Sequence, residues 1–169
     1  DTETLFYRDG FDSCFEAESK VLFVAERGEG AVIVLDRTPF YAESGGQVGD
    51  CGFLDADGLR FEVQDTKKVG GVFAHIGRML TGSLPRVGTT VKAIVRAERR
   101  NLIRKNHSAT HLLNKALREV LGEHVAQQGS EVDEVRLRFD FSNPKGLTQA
   151  EIDDVERRVN AQIANNEPV

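Results

Sequence analysis

The sequence has no apolar run near the roughly 20 residues that a bilayer span needs, so no segment is expected to cross a membrane. Its N-terminus lacks a charged stretch leading into an apolar one, and no secretory leader is expected. Cysteine occurs only at Cys14 and Cys51, which do not form a close metal-binding pair. Such sparse use fits a reducing, cytoplasmic setting, although two thiols leave one disulfide open. Internal repeats and low-complexity segments are missing. So is the Gly-Lys-Ser ending of a phosphate-binding loop, and nothing in the chain is expected to bind ATP. The zinc-protease pattern His-Glu-x-x-His is absent as well, because Ser108 stands where the glutamate base would be.

What is present is the composition of a globular protein: 169 residues, 40% hydrophobic and 29% charged, enough for one domain or two small ones. The net charge of −5 argues against a nucleic-acid partner until its distribution is read. Residues 86–118 hold nine Lys or Arg against the single acid Glu98, a local +8, which leaves −13 for the remainder. A basic segment on an acidic chain holds phosphates in one place and keeps the rest soluble. A solvated helix face without a ligand has the same signature, and charge alone does not separate the two.

Residues 1–97 alternate short β-prone runs with turn signals. Phe15–Val24 and Ala31–Leu35 flank Arg27-Gly28-Glu29-Gly30, and Gly52–Leu54 and Leu59–Thr66 flank Asp55-Ala56-Asp57-Gly58. Val72–Ile76 and Val91–Val95 are further strand candidates, and the set predicts a small barrel or sandwich. One loop, Thr38 to Asp50, packs Pro39 and three glycines into thirteen residues, which marks unusual backbone geometry.

From residue 98 the character becomes mixed. Apolar residues at 102, 103, 109, 112, 113, 116, 117, 120 and 121 recur with helical spacing up to Gly122, predicting a helix of about 24 residues. At about 100° per residue, His107 and His111 fall one turn apart, roughly 150° from the apolar stripe. Two imidazoles at i and i+4 can converge on one metal ion. That face also carries Arg100, Arg104 and Arg118, where phosphate is a natural visitor. A His-x-x-x-His pair also arises by chance in many helices, so the context of the pair has to decide.

Beyond the helix, Val125–Val132 and Val135–Phe141 read as strands, the second with Val135, Leu137, Phe139 and Phe141 alternating with polar residues. Thr148 and Glu151 form a capping box for a last helix, with Ile152, Val155, Val159 and Ile163 as its buried stripe and Asn165, Asn166 and Pro168 ending it.

Three stretches in this order resemble the editing region of alanyl-tRNA synthetase. They are Asp36-Arg37-Thr38-Pro39-Phe40-Tyr41-Ala42-Glu43-Ser44-Gly45-Gly46-Gln47-Val48-Gly49-Asp50, then Asn106-His107-Ser108-Ala109-Thr110-His111-Leu112-Leu113, then Arg138-Phe139-Asp140-Phe141. The resemblance spans nearly the whole chain, and the glycine-rich loop and the His pair are specific only jointly. A free-standing editing protein, or the related domain of threonyl-tRNA synthetase, would share part of it.

The resemblance implies an α+β fold: an N-terminal small β-barrel over residues 1–97, and over 98–169 the first part of an α+β editing core of the synthetase second-additional-domain type, truncated at its C-terminus. It implies zinc-dependent hydrolysis of Ser-tRNA(Ala) or Gly-tRNA(Ala), with the tRNA acceptor end as partner. ATP and alanine would enter only through an aminoacylation domain lying before Asp1. The family holds zinc with a His-x-x-x-His pair and a later Cys-x-x-x-His pair. His107 and His111 match the first; the second is not here, since Cys14 is followed four residues on by Glu18 and Cys51 by Asp55. A chain with two imidazoles alone is expected to hold zinc weakly and to hydrolyse poorly. Thr110 and Gln127 fall at pocket positions of the family, Gly45 and Gly46 match its glycine loop, and Arg138 lies in a bordering strand. Arg100 and Arg104 are expected to meet acceptor-stem phosphates. His75 and His124 match no ligand and are expected to be core or surface histidines. A non-catalytic tRNA-binding module is the competing reading, and a zinc protease is disfavoured by Ser108.

Overall fold

The computed structural model describes residues 1–8 and 12–165 of the chain, and strand-forming sequence with turn residues every few positions gives the described residues before 97 their β structure. In chain order the strands are β1 (Glu3–Thr4), β2 (Tyr7–Arg8), β3 (Asp12–Ser13), β4 (Glu16–Arg27), β5 (Gly30–Leu35), β6 (Arg37–Thr38), β7 (Gly52–Ala56), β8 (Leu59–Val69), β9 (Val72–Thr81) and β10 (Thr90–Val95). Then follow α1 (Ala97–Leu121), β11 (Gln127–Val132), β12 (Leu137–Phe141) and α2 (Gln149–Asn165). The chain divides into two units. One comprises Asp1–Ser44 and Val48–Arg100; the other comprises Gly45–Gln47 and Asn101–Val169. The expected division at 97/98 thus meets a boundary three residues later, with the loop tip counted in the second unit.

The first unit is a closed antiparallel barrel in the order β10-β4-β5-β9-β8-β7, with β10 hydrogen-bonded to both β4 and β7. A closed barrel removes the exposed edges that an open sheet would present. Side chains fill it: Val21, Ile33, Leu35, Leu54, Phe61 and Val63 are fully buried. Alternation along β8 points Phe61 and Val63 inward; a bulge between Val63 and Asp65 then shifts the register by one, so that Thr66 is the next buried residue. The hairpins fall where the turn residues stand, with Arg27 opposite Gly30 and Ala56 opposite Leu59. Strands β4 and β9 run longer than the apolar pattern predicts, because their exposed faces carry polar residues that still pair in the ladder.

In the second unit the β11–β12 hairpin and α2 share a small core with α1, made of Ala116, Leu117, Val125 and Val155 with Phe139 and Phe141 beside them. The capping box forms as expected, Glu151 N donating to Thr148 Oγ1 (3.3 Å) and Thr148 N to the Glu151 carboxylate (2.7 Å). The Thr148 amide and hydroxyl hold the Glu151 carboxyl below its ordinary value. Four expected core positions are corrected. Val135 is 83% exposed, because it sits in the hairpin turn, where Asp133 Oδ1 accepts from the amides of Val135 and Arg136. Ile152 and Ile163 are exposed, and only Val155 of the stripe is fully buried. Leu102 of α1 is exposed as well. Asn166 and Pro168, expected to end α2, lie outside the described residues. Among the described residues, no helix is long and apolar enough to cross a membrane.

Candidate functional site

Helical spacing places His107, Thr110, His111 and Asn114 on one face of α1, at i, i+3, i+4 and i+7. These four side chains line a cavity of about 150 Å³ in the second unit, which Gly45, Gln127, Ser130, Val132 and Phe139 complete. That is many times the roughly 10–15 Å³ that one water requires. Four of the expected residues, His107, His111, Thr110 and Gln127, thus meet in one place, together with Gly45 of the glycine loop.

The two imidazoles stand with ring centroids 4.9 Å apart and planes tilted by 46°. The Nδ1 of His107 lies 2.6 Å from Gln47 Oε1. Partial burial, and then the charge of His111, hold the His107 ring below its ordinary value of 6.5, which favours the neutral ring that a metal or a proton would approach. Thr110 is buried and its hydroxyl donates back to Asn106 O (2.8 Å), so the oxygen offers its lone pairs rather than its proton.

The donor chemistry fits half of a zinc site. Among the described residues no group of three or more His, Cys, Asp or Glu converges, and zinc is held by three or four protein ligands. His107 and His111 would supply two, and the remaining donors would have to come from outside these residues.

The glycine loop is tied to the site through its backbone. Gly46 O accepts from Val132 N (2.8 Å), and Gln47 pairs in parallel with Val132. Gly46 has φ +88°, and a Cβ there would collide with the Ser130 carbonyl, so only glycine fits.

Two expected arginines stand elsewhere. Arg100 is 6% exposed and its guanidinium is committed: Nε donates to Asp50 Oδ2 (3.0 Å), Nη1 to Cys14 O (2.9 Å) and Nη2 to Pro39 O. It is a barrel-unit anchor, buried and held by oxygens of Asp50, Cys14 and Pro39 instead of being presented to a phosphate, which corrects its expected role. Arg138 projects away from the cavity that its neighbour Phe139 lines, and pairs across the hairpin with Glu131 (3.1 Å) and along its own strand with Asp140 (3.2 Å). Strand alternation is the reason: adjacent residues face opposite sides. Arg104 remains exposed. His75 is fully buried in the barrel, and His124 is exposed with Nε2 against Asn143 Oδ1 (2.8 Å).

Sequence reasoning gave no site role to Gln47, Asn114, Ser130, Val132 or Phe139. Asn114 follows from helical spacing. Ser130 and Val132 were obscured by a bulge after Gln127, which puts residues 127, 130 and 132 on one face where simple alternation would have put 128.

The family model described as class II (A) tRNA synthetases matches residues 3–99, more than half of the chain. The alanine–tRNA ligase of Chromohalobacter salexigens is 54% identical over 151 residues, covering 89% of this chain and 17% of that protein. Those of Haemophilus influenzae and Pseudomonas fluorescens are each 53% identical, covering 85% and 90% of this chain and 16% and 17% of theirs. The chain therefore spans about a sixth of the length of these curated relatives. By family match and by these identities, the chain belongs to the class II (A) tRNA synthetases, as an alanyl-tRNA synthetase sequence.

Proposed function

We propose that this chain carries part of the hydrolytic editing site of an alanyl-tRNA synthetase, which cleaves serine or glycine wrongly esterified to tRNA(Ala). The need follows from energetics. A pocket for alanine loses only about 1–3 kcal/mol when glycine enters without the methyl, and rejects an added hydroxyl by only about a hundredfold. A second, hydrolytic site supplies the remaining accuracy.

The observation that carries the reading is the convergence of His107, His111, Thr110 and Gln127 on one small cavity. Thr110, its proton given to Asn106, accepts a hydrogen bond from the substrate ammonium, the serine hydroxyl or a water. Gln127, exposed at the start of β11, offers both an acceptor and a donor. Val132 and Phe139 form the apolar side of the cavity. His107 and His111 would hold zinc jointly with ligands from the longer protein; zinc supplies Lewis acidity for polarising the ester carbonyl or acidifying a water. Arg104 and its exposed basic neighbour Lys105 attract acceptor-end phosphates. ATP and alanine belong to the aminoacylation part of the longer protein, and the cytoplasm is where it acts.

The test is His107→Ala in the longer protein, with Ser-tRNA(Ala) hydrolysis and tRNA binding measured separately. Loss of hydrolysis with binding retained supports editing; unchanged hydrolysis rejects the role of His107 and returns the site to a non-catalytic tRNA-binding module.

A further inference from the structure

Gln47 has no part in the reading above, yet it makes the shortest side-chain contact of the cavity's histidines: its Oε1 is 2.6 Å from Nδ1 of His107. An amide oxygen carries no proton, so this contact requires one on Nδ1. The backbone that carries this side chain is held in place. Gln47 is fixed in backbone by its parallel pairing with Val132, and the preceding residue by the bond from Val132 N to Gly46 O and by the space that only glycine fits against Ser130. The main chain therefore presents the Gln47 side chain to the first His of the pair.

We propose that Gln47 is a positioning residue for His107: it locks the ring in the tautomer with the proton on Nδ1 and leaves Nε2 as the nitrogen with a free lone pair. A histidine that donates one ring N–H to a fixed oxygen has its orientation and its free nitrogen decided by that bond. His111, one turn on, shows no comparable partner among the hydrogen bonds of the described residues, so the two imidazoles are unequal: His107 is preset and His111 adapts. The consequence of this inequality for catalysis rests on the hydrolytic reading above; the tautomer itself does not.

The experiment reads the tautomer directly, without tRNA or metal, and so stands or falls separately from hydrolysis. Long-range 1H–15N correlation spectra of the histidine rings are recorded on the 169-residue chain near pH 8.5, where an imidazole of ordinary pKa, about 6.5, is neutral. Wild type should show His107 with Nδ1 protonated; Gln47→Ala should lose that signature and give a tautomeric mixture; Gln47→Glu, which keeps an acceptor oxygen, should retain it. A wild-type ring protonated on Nε2 overturns the proposal whatever the variants do, and so does a Gln47→Ala spectrum in which Nδ1 stays protonated.

Discussion

His75 shows how a single residue can fix a local structure and make it sensitive to acid. Its ring is fully buried, edge-on to Phe40 at 5.1 Å. Nδ1 donates to Ile33 O (3.0 Å), so Nε2 accepts from the Thr38 hydroxyl (2.8 Å), whose oxygen in turn accepts from Phe40 N (3.1 Å). Every position is filled only while the ring is neutral, and burial pushes its pKa down from 6.5 to about 4. The unfolded chain therefore takes up the proton first: this stability is complete above about pH 6.5 and is lost as pH falls towards 4, about 3 kcal/mol in all at about 1.36 kcal/mol per pH unit. Urea denaturation between pH 7 and 4 should show that slope in wild type and a flatter one in His75→Gln. Arg100 makes the second case. Arg100→Met should destabilise the barrel unit by about 3–5 kcal/mol, because it strands the buried Asp50 carboxylate, whereas exposed Arg104→Ala should change stability by less than about 0.5 kcal/mol. Thermal melts of the two variants distinguish an anchor from a surface cation. Helical spacing makes the chemistry of His107 and His111 legible in the sequence; it says nothing of Arg100's burial, because the carboxylate that claims it lies fifty residues away.

Elements were legible where one period dominates. The long helix, the capping box of α2 and most barrel hairpins follow from apolar spacing and turn residues. What escaped was set by irregularity: bulges in β4, β8 and β11 shift which face a residue joins, and the short strands β1, β2, β3 and β6, at two residues each, carry no period at all. Ile152 misleads for another reason: it lines an open apolar groove with Leu113, Phe141 and Val159, so it lies on the predicted stripe without being enclosed. The glycine loop gives the sharpest prediction at this scale. Gly45 has φ +60° with open space around it, so Gly45→Ala should cost only the left-handed backbone strain, about 1–2 kcal/mol. Gly46→Ala must also displace the Ser130 carbonyl, and should cost more and broaden or shift the amide signals of Ser130 and Val132. Equal effects of the two substitutions would contradict the packing described. Thr148→Ala should cost about 1 kcal/mol by removing the cap of α2, read in a thermal melt.

For the whole molecule, the sequence separates a β half from a mixed half at residue 97, whereas the chain's two compact units meet after Arg100 and the loop tip Gly45–Gln47 belongs to the second. No local pattern reveals that assignment, since it depends on backbone pairing with β11. Charge is distributed in the same spirit, a basic stretch around α1 on an acidic chain, although part of that charge is spent internally by Arg100. The central claim is that the cavity beside His107 discriminates and hydrolyses wrong esters of tRNA(Ala). Its most direct test is single-turnover deacylation of Ser-, Gly- and Ala-tRNA(Ala) by the longer protein containing this chain, measured side by side with its Thr110→Ala variant. The account predicts that the serine and glycine esters are cleaved much faster than the alanine ester, and that Thr110→Ala erodes the difference; equal rates for all three esters, or a Thr110→Ala enzyme that discriminates as well as wild type, would contradict it.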